Sequence, residues 1–332
     1  MNTLLDPAIL FFAFGLLAGA VRSNLEIPAP ISRFLSLYLL MALGLKGGFA
    51  LAQSGLTSQV AAGLGCALVL ALVVPLLALR LLRLVVGPYD AAALAATYGS
   101  VSAVTFVTAV QFLETRGIGY GGHMAAAMAL MESPAIILAV IFANTLRRRE
   151  GAAVVPAQGP GAVPDQAPGL SMRKVLHESF TDGAQLLLLG SMVVGLATGE
   201  AGRQAMQPFS GDLFKGMLAF FLLDMGLLAA RNLPQVKGQS PWLLAYALLA
   251  PPVHASLALA LSLLFGLPLG DTILLMVLAA SASYIAVPAV LRHAIPQANP
   301  SLYFGLSLGL TFPLNILLGI PVYAAVASQV LR

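Results

Sequence analysis

Thr97-Tyr98-Gly99-Ser100-Val101-Ser102-Ala103-Val104-Thr105 is a run of small and hydroxylated residues inside an otherwise apolar segment extending from roughly 90 to 113. A second run, Ala279-Ala280-Ser281-Ala282-Ser283-Tyr284, interrupts the apolar segment from roughly 270 to 293, and Pro288 follows it. Ser100-Val101-Ser102-Ala103 lines up with Ser281-Ala282-Ser283-Tyr284 at a displacement of 181 residues. Each segment is long enough to cross a bilayer as a helix, and each is interrupted near its middle. A helix that unwinds in lipid must find partners for its freed N–H and C=O groups. Such a break therefore marks a place where a cavity, an ion or a polar solute meets the backbone.

The rest of the chain repeats the apolar pattern. Ten candidate spans lie at roughly 7 to 21, 31 to 52, 57 to 82, 90 to 113, 122 to 146, 182 to 200, 209 to 231, 241 to 265, 270 to 293 and 301 to 327. The 332 residues are 59% hydrophobic and only 9% charged, whereas a soluble domain carries about a quarter charged residues. An all-α polytopic membrane protein is the expected fold class. The apolar stretch from Ala8 has no Lys or Arg before it, so it reads as the first span rather than a secretory leader. Cys66 is the single cysteine and the four histidines are scattered, which argues against a disulfide or a metal centre. The longest basic block, Arg147 to Arg149, is too short to suggest a nucleic-acid partner. No nucleotide loop, nucleophile elbow or paired metal motif is present, so the chain is not expected to be an enzyme and no resident cofactor is expected.

One long polar interruption, Arg147 to Lys174, reads as a linker between a first five-helix repeat (1–146) and a second (175–332). An odd number of spans per half forces the halves to enter the membrane in opposite orientations. Glu132-Ser133-Pro134 and Thr311-Phe312-Pro313 add a second trace of an inverted repeat. Counted by side, Arg22, Arg33, Arg80, Arg83, Arg147, Arg148, Arg149, Arg173, Lys174, Arg231, Lys237 and Arg292 face Arg116, Arg203, Lys215 and Arg332 across the bilayer. The positive-inside rule then predicts a cytoplasmic linker and two external termini.

A half-helix N-terminus at each break carries partial positive charge, which suits a small anion. Close helix packing is the competing role for isolated Ser and Thr residues, but two matched Ser-x-Ser clusters favour a site. Candidate substrate contacts are Gly99, Ser100, Val101, Ser102, Ala103, Val104, Thr105, Ser281, Ala282, Ser283 and Tyr284. Ionisable residues within the spans are functional candidates by default, and Lys46, Glu132, Asp224 and His254 are the clearest. Glu132 could hold a cation or cap a bent helix. Lys46 and Asp224 occupy comparable places in the second and seventh spans and could pair or face a subunit contact, while His254 suits packing.

These residues resemble a known family. Gly44-Leu45-Lys46-Gly47-Gly48, the first break, Met131-Glu132-Ser133-Pro134-Ala135, His177-Glu178-Ser179, the second break, and Ala294-Ile295-Pro296-Gln297-Ala298-Asn299-Pro300-Ser301 are similar to the sodium-dependent bicarbonate transporter family, SbtA type. The resemblance implies a trimeric inner-membrane symporter with inverted repeats and broken, crossing fourth and ninth helices. It also implies sodium as coupling ion, with Ser102, Thr105, Glu132, Ser281 and Ser283 as possible ligands. Cyanobacterial members have Ser-Gly-Ser-Thr where this chain has Ser102-Ala103-Val104-Thr105, and Ser-Ser-Ser-Asp where it has Ser281-Ala282-Ser283-Tyr284. Val104 and Tyr284 therefore support an alternative: an anion-binding or sensor protein, or a transporter of another small carboxylate, without sodium coupling. The short linker gives no support to the PII-like partner of the cyanobacterial members.

Overall fold

The computed structural model describes residues 6–55, 57–153 and 183–331, and every regular element among them is helical. In chain order these are α1 (Pro7–Ala20), α2 (Ala29–Ser54), α3 (Ser58–Leu82), α4 (Pro88–Gly99), α5 (Ala103–Thr115), α6 (Met124–Ala153), α7 (Gly183–Met206), α8 (Phe214–Asn232), α9 (Pro241–Phe265), α10 (Leu269–Ala280), α11 (Ala286–Ala294) and α12 (Pro300–Val330). Their starts follow local chemistry. The Asp6 side chain accepts from the Ala8 N–H at 2.9 Å, and Asn299 accepts from the Ser301 N–H at 3.0 Å, each just ahead of a proline in the first turn.

Seven helical stretches among the described residues are long and apolar enough to cross a membrane. Ten spans were expected, and the difference has identifiable sources. Gly183–Val236 counts as one stretch although a π-helical turn, Gln207–Asp212, divides it into α7 and α8. Pro7–Ala20 and Leu269–Ala280 are apolar but shorter. The α6 helix runs on to Ala153, past the start of the polar stretch, and the Arg147 guanidinium donates to Asn144 Oδ1 at 3.0 Å, the Ala294 carbonyl at 2.7 Å and Gln297 Oε1 at 2.8 Å. The remainder of the expected linker, and His177-Glu178-Ser179, lie outside the described residues.

Two helix crossings depend on glycine. Lipid is as apolar as a leucine side chain, so contact between helices relies on close van der Waals packing of small residues. On α1 and α8, a Cβ on Gly15 would lie 3.1 Å from Gly226 Cα, and one on Gly226 would lie 3.0 Å from Gly15 Cα. On α7 and α2, the matching distances are 3.1 Å for Gly195 against Gly48 Cα and 2.9 Å for the reverse. Each pair thus joins helices that are far apart in sequence.

Prolines inside the helices leave carbonyls without an intrahelical donor. Pro251 of α9 deprives the Ala247 carbonyl, and Thr311 of α12 donates its hydroxyl there at 3.0 Å. Since that hydrogen is used, the Tyr98 hydroxyl is the donor in its 2.7 Å contact with Thr311 Oγ1. The α4 helix is thereby tied to α9 and α12 just ahead of its break. In α12, π-helical turns at Gly305–Thr311 and Asn315–Gly319 flank Pro313, consistent with local rewinding around a missing N–H.

Candidate functional site

The helix α4 ends at Gly99, the chain is extended at Ser100 (φ −99°, ψ −179°), and α5 begins at Ala103. Likewise α10 ends at Ala280, Ser281 is extended (φ −79°, ψ 161°), and α11 begins at Ala286. Both expected breaks are present, and they touch. The Ser102 N–H donates to Ser281 Oγ at 2.9 Å, and the Ser283 N–H donates to the Thr97 carbonyl at 2.8 Å. Ser281 also donates its hydroxyl to the Leu278 carbonyl at 2.8 Å. Asn315 of α12 donates to the Ala280 carbonyl at 2.8 Å and is itself oriented by the Tyr323 hydroxyl at 3.1 Å. Ser100 donates to the Glu132 carbonyl at 3.1 Å. Backbone groups freed by unwinding are therefore met by named partners from other helices, as a break buried in an apolar phase requires.

A cavity of about 190 Å³ opens beside the junction. Val101, Ser102, Ala103 and Val104 line it from the first break, and Ser283 and Tyr284 from the second. Glu132 of α6 and Gln185 of α7 close another wall, with Gln185 Nε2 donating to Glu132 Oε2 at 2.8 Å. Gly99, Ser100, Thr105, Ser281 and Ala282 do not line the cavity; they build the wall behind it. Gly99 packs on Pro75, whose Cα and Cδ would each be 2.9 Å from an added Cβ.

Two hydroxyls on the cavity have a defined polarity. Ser102 Oγ caps α5 by accepting from the Thr105 N–H at 3.3 Å, and Ser283 Oγ accepts from the Val287 N–H at 3.3 Å. The Ser283 hydroxyl hydrogen can then be offered to a ligand, next to the N-terminal N–H groups of α5, whereas the Ser102 hydroxyl also interacts with the Tyr284 phenol. Glu132 adds the one carboxylate among the lining residues, so the cavity holds donors for an anion and an oxygen acceptor for a cation. Tyr284, 5% exposed, turns its hydroxyl to Met225 Sδ at 3.5 Å and its ring to Phe312 at 5.1 Å.

The other ionisable candidates lie elsewhere. Lys46 pairs with Glu114, at 2.9 and 3.0 Å, and sits over the Phe214 ring at 4.0 Å, while Asp224 accepts from the Ser32 hydroxyl. Lys46 and Asp224 thus take separate partners rather than each other. His254 is buried in α9 against the Ala279 backbone, behind the second break.

The sequence reading missed Gln185, Asn315 and the carboxylates Asp90 and Asp271. Asp90 accepts from the Asn299 N–H at 2.7 Å, and Asp271 from the Gly121 N–H at 2.5 Å, with His123 Nε2 3.6 Å from its second oxygen. The two carboxylates share the 181-residue displacement of the serine clusters, which was the signal available to find them.

The family model of the Na+-dependent bicarbonate transporter superfamily matches residues 7–328, both breaks and Glu132 included. The chain belongs to this superfamily. No curated protein matches the chain, so the family assignment rests on that model. A transporter family and several long apolar helices together make this a multi-pass membrane protein.

Proposed function

We propose that the chain is a secondary transporter that takes up a small anion, bicarbonate first, with sodium as the coupling ion and by alternating access. The observation that carries this reading is the convergence of Ser102, Ser283 and Glu132 on one cavity at the junction of two broken helices. Half-helix N–H groups and the Ser283 hydroxyl suit the anion, and a carboxylate oxygen with hydroxyl oxygens suits a hard monovalent cation. Of the five expected sodium ligands, Ser102, Ser283 and Glu132 face the cavity, which favours them over Thr105 and Ser281.

Two five-helix halves, separated by a cytoplasmic linker and related by an inverted pseudo-two-fold axis, form the proposed architecture. Support comes from reciprocity: Gly15 with Gly226 mirrors Gly195 with Gly48, and Asp90 with Asn299 mirrors Asp271 with Gly121. The family resemblance adds a homotrimer in the inner membrane, and the cation asymmetry supports both termini outside. A second reading, in which the fold binds an anion without sodium coupling, is favoured by the neutral Tyr284 phenol at the position of the family's acidic residue. Calorimetric titration of bicarbonate into purified protein, in sodium and in choline buffer, separates the two. Tighter binding in sodium supports symport, equal binding supports the uncoupled alternative, and no binding in either rejects the anion site.

A further inference from the structure

A groove of about 1070 Å³ runs between α1, α8 and α12, and none of its lining residues lines the cavity at the serine junction. Its walls are apolar: Leu16, Leu248, Leu314, Leu317 and Leu318 line it, and Leu318 is 56% exposed. Three cations are among its lining residues, Arg22 after α1, Arg231 at the end of α8 and Lys237 beyond it. Among the described residues no acidic side chain lines the groove and none of the three cations forms a direct ion pair, although Arg231 is close enough to interact electrostatically with Asp224 of the same helix. Arg231 Nη2 donates to the Leu25 carbonyl at 2.9 Å, which fixes that side chain at the groove mouth.

Arg22 supplies an independent observation. The α1 helix closes with the Arg22 N–H donating to the Gly19 carbonyl at 3.1 Å and the Ser23 N–H to the Ala18 carbonyl at 2.9 Å. In this closure the residue after the cap is left-handed and is commonly glycine. Here it is Arg22, with φ 56°, the one described non-glycine residue with positive φ. A side chain that disfavours this backbone region is thereby held on the groove that Arg231 and Lys237 also line.

We infer that this groove is a binding site for an anionic phospholipid, with acyl chain along the leucines and phosphate among Arg22, Arg231 and Lys237. The chemistry is that of a basic interhelical pocket continuous with an apolar wall. A zwitterionic lipid carries an ammonium that the three groove cations would repel, so charge complementarity selects the anionic headgroup.

Native mass spectrometry of the full-length protein, with phosphatidylglycerol or phosphatidylcholine added in detergent, tests this. Phosphatidylglycerol should be retained in preference. Arg231→Gln and Lys237→Gln should each weaken its retention about fivefold, the effect of one interfacial cation, whereas Arg80→Gln, a cation expected on the same side, should not. Arg22→Gly should weaken retention equally without lowering the melting temperature in phosphatidylcholine, because glycine adopts the left-handed position freely. That result separates a ligand role from a structural one. The inference is overturned if Arg80→Gln weakens retention as much, if inorganic phosphate displaces the lipid at equal concentration, or if the groove variants instead change the number of copies in the complex.

Discussion

The Ser102 backbone N–H donates to the Ser281 side-chain oxygen at 2.9 Å, joining two interrupted helices that are 179 residues apart in sequence. Because Ser283 returns a bond to Thr97, the junction is held in both directions. The broken helices are thus pinned to each other rather than to lipid, and a displacement of one carries the other. Ser281→Ala would leave the buried Ser102 N–H without its partner. A stability loss of about 1–3 kcal/mol is expected in thermal melts, with Ser281→Thr restoring most of it.

The serines that face the cavity predict a different outcome. Ser102→Leu or Ser283→Leu fills the space beside α5 with an apolar side chain and removes a donor, so anion affinity should fall more than tenfold while the protein still folds. Equilibrium binding combined with a melting curve checks this. Unchanged affinity with a large fall in melting temperature would assign both serines to the scaffold.

Glu132 is the carboxylate of the cavity, held by Gln185 at 2.8 Å. Glu132→Gln keeps the shape and a hydrogen-bonding oxygen but removes the charge. Bicarbonate affinity in sodium should then drop about tenfold, to the level measured in choline, since a charge-assisted contact contributes roughly 1.5–3 kcal/mol. A variant that keeps its sodium response would place the cation elsewhere.

Tyr284 stands where the resemblance implies an acid. A phenol remains neutral near pH 7 and offers only a neutral oxygen, and here that oxygen is turned toward Met225. Tyr284→Asp is expected to increase the sodium dependence of substrate binding several-fold, with Ser102 and Ser283 still supplying oxygens. Calorimetry in sodium and in choline gives the ratio directly. Strong sodium dependence in the unmodified protein, undiminished in Tyr284→Phe, would assign the coupling to Glu132 alone.

The glycine crossings predict stability. Gly48→Leu forces a side chain into the α7 backbone, where even a Cβ would lie 2.8 Å from the Leu196 nitrogen and 2.9 Å from Gly195 Cα. A loss of about 1–3 kcal/mol or more is expected from overpacking. Gly65→Ala, where an added Cβ meets nothing within 4 Å, should be neutral or stabilising by up to about 1 kcal/mol.

Much of the architecture is legible in the sequence because lipid imposes simple rules. Apolar length identifies most of the helices, and paired hydroxyl clusters identify both breaks. What the sequence could not show is direction. Ser281 and Ser283 look alike in the chain, yet Ser281 points its oxygen at the Ser102 backbone while Ser283 lines the cavity. Helix rotation decides that, and rotation is set by contacts from helices distant in sequence. The same applies to Gln185, which has no motif of its own and becomes relevant only when α7 is laid beside Glu132. Asn315 carried a weak signal as a lone amide in an apolar span, and its partner, the Ala280 carbonyl, exists only because the break frees it. Arg147 reads in sequence as the start of a polar linker, and its partners on α6 and around Ala294 show only in the fold.

Uptake of labelled bicarbonate into proteoliposomes, with and without an inward sodium gradient, tests the proposed activity most directly. The account predicts accumulation above equilibrium when sodium flows inward, loss of that accumulation in Ser102→Leu, and equilibration only when sodium is replaced by choline. Equal uptake with and without the sodium gradient, or uptake indifferent to Ser102→Leu, would contradict it.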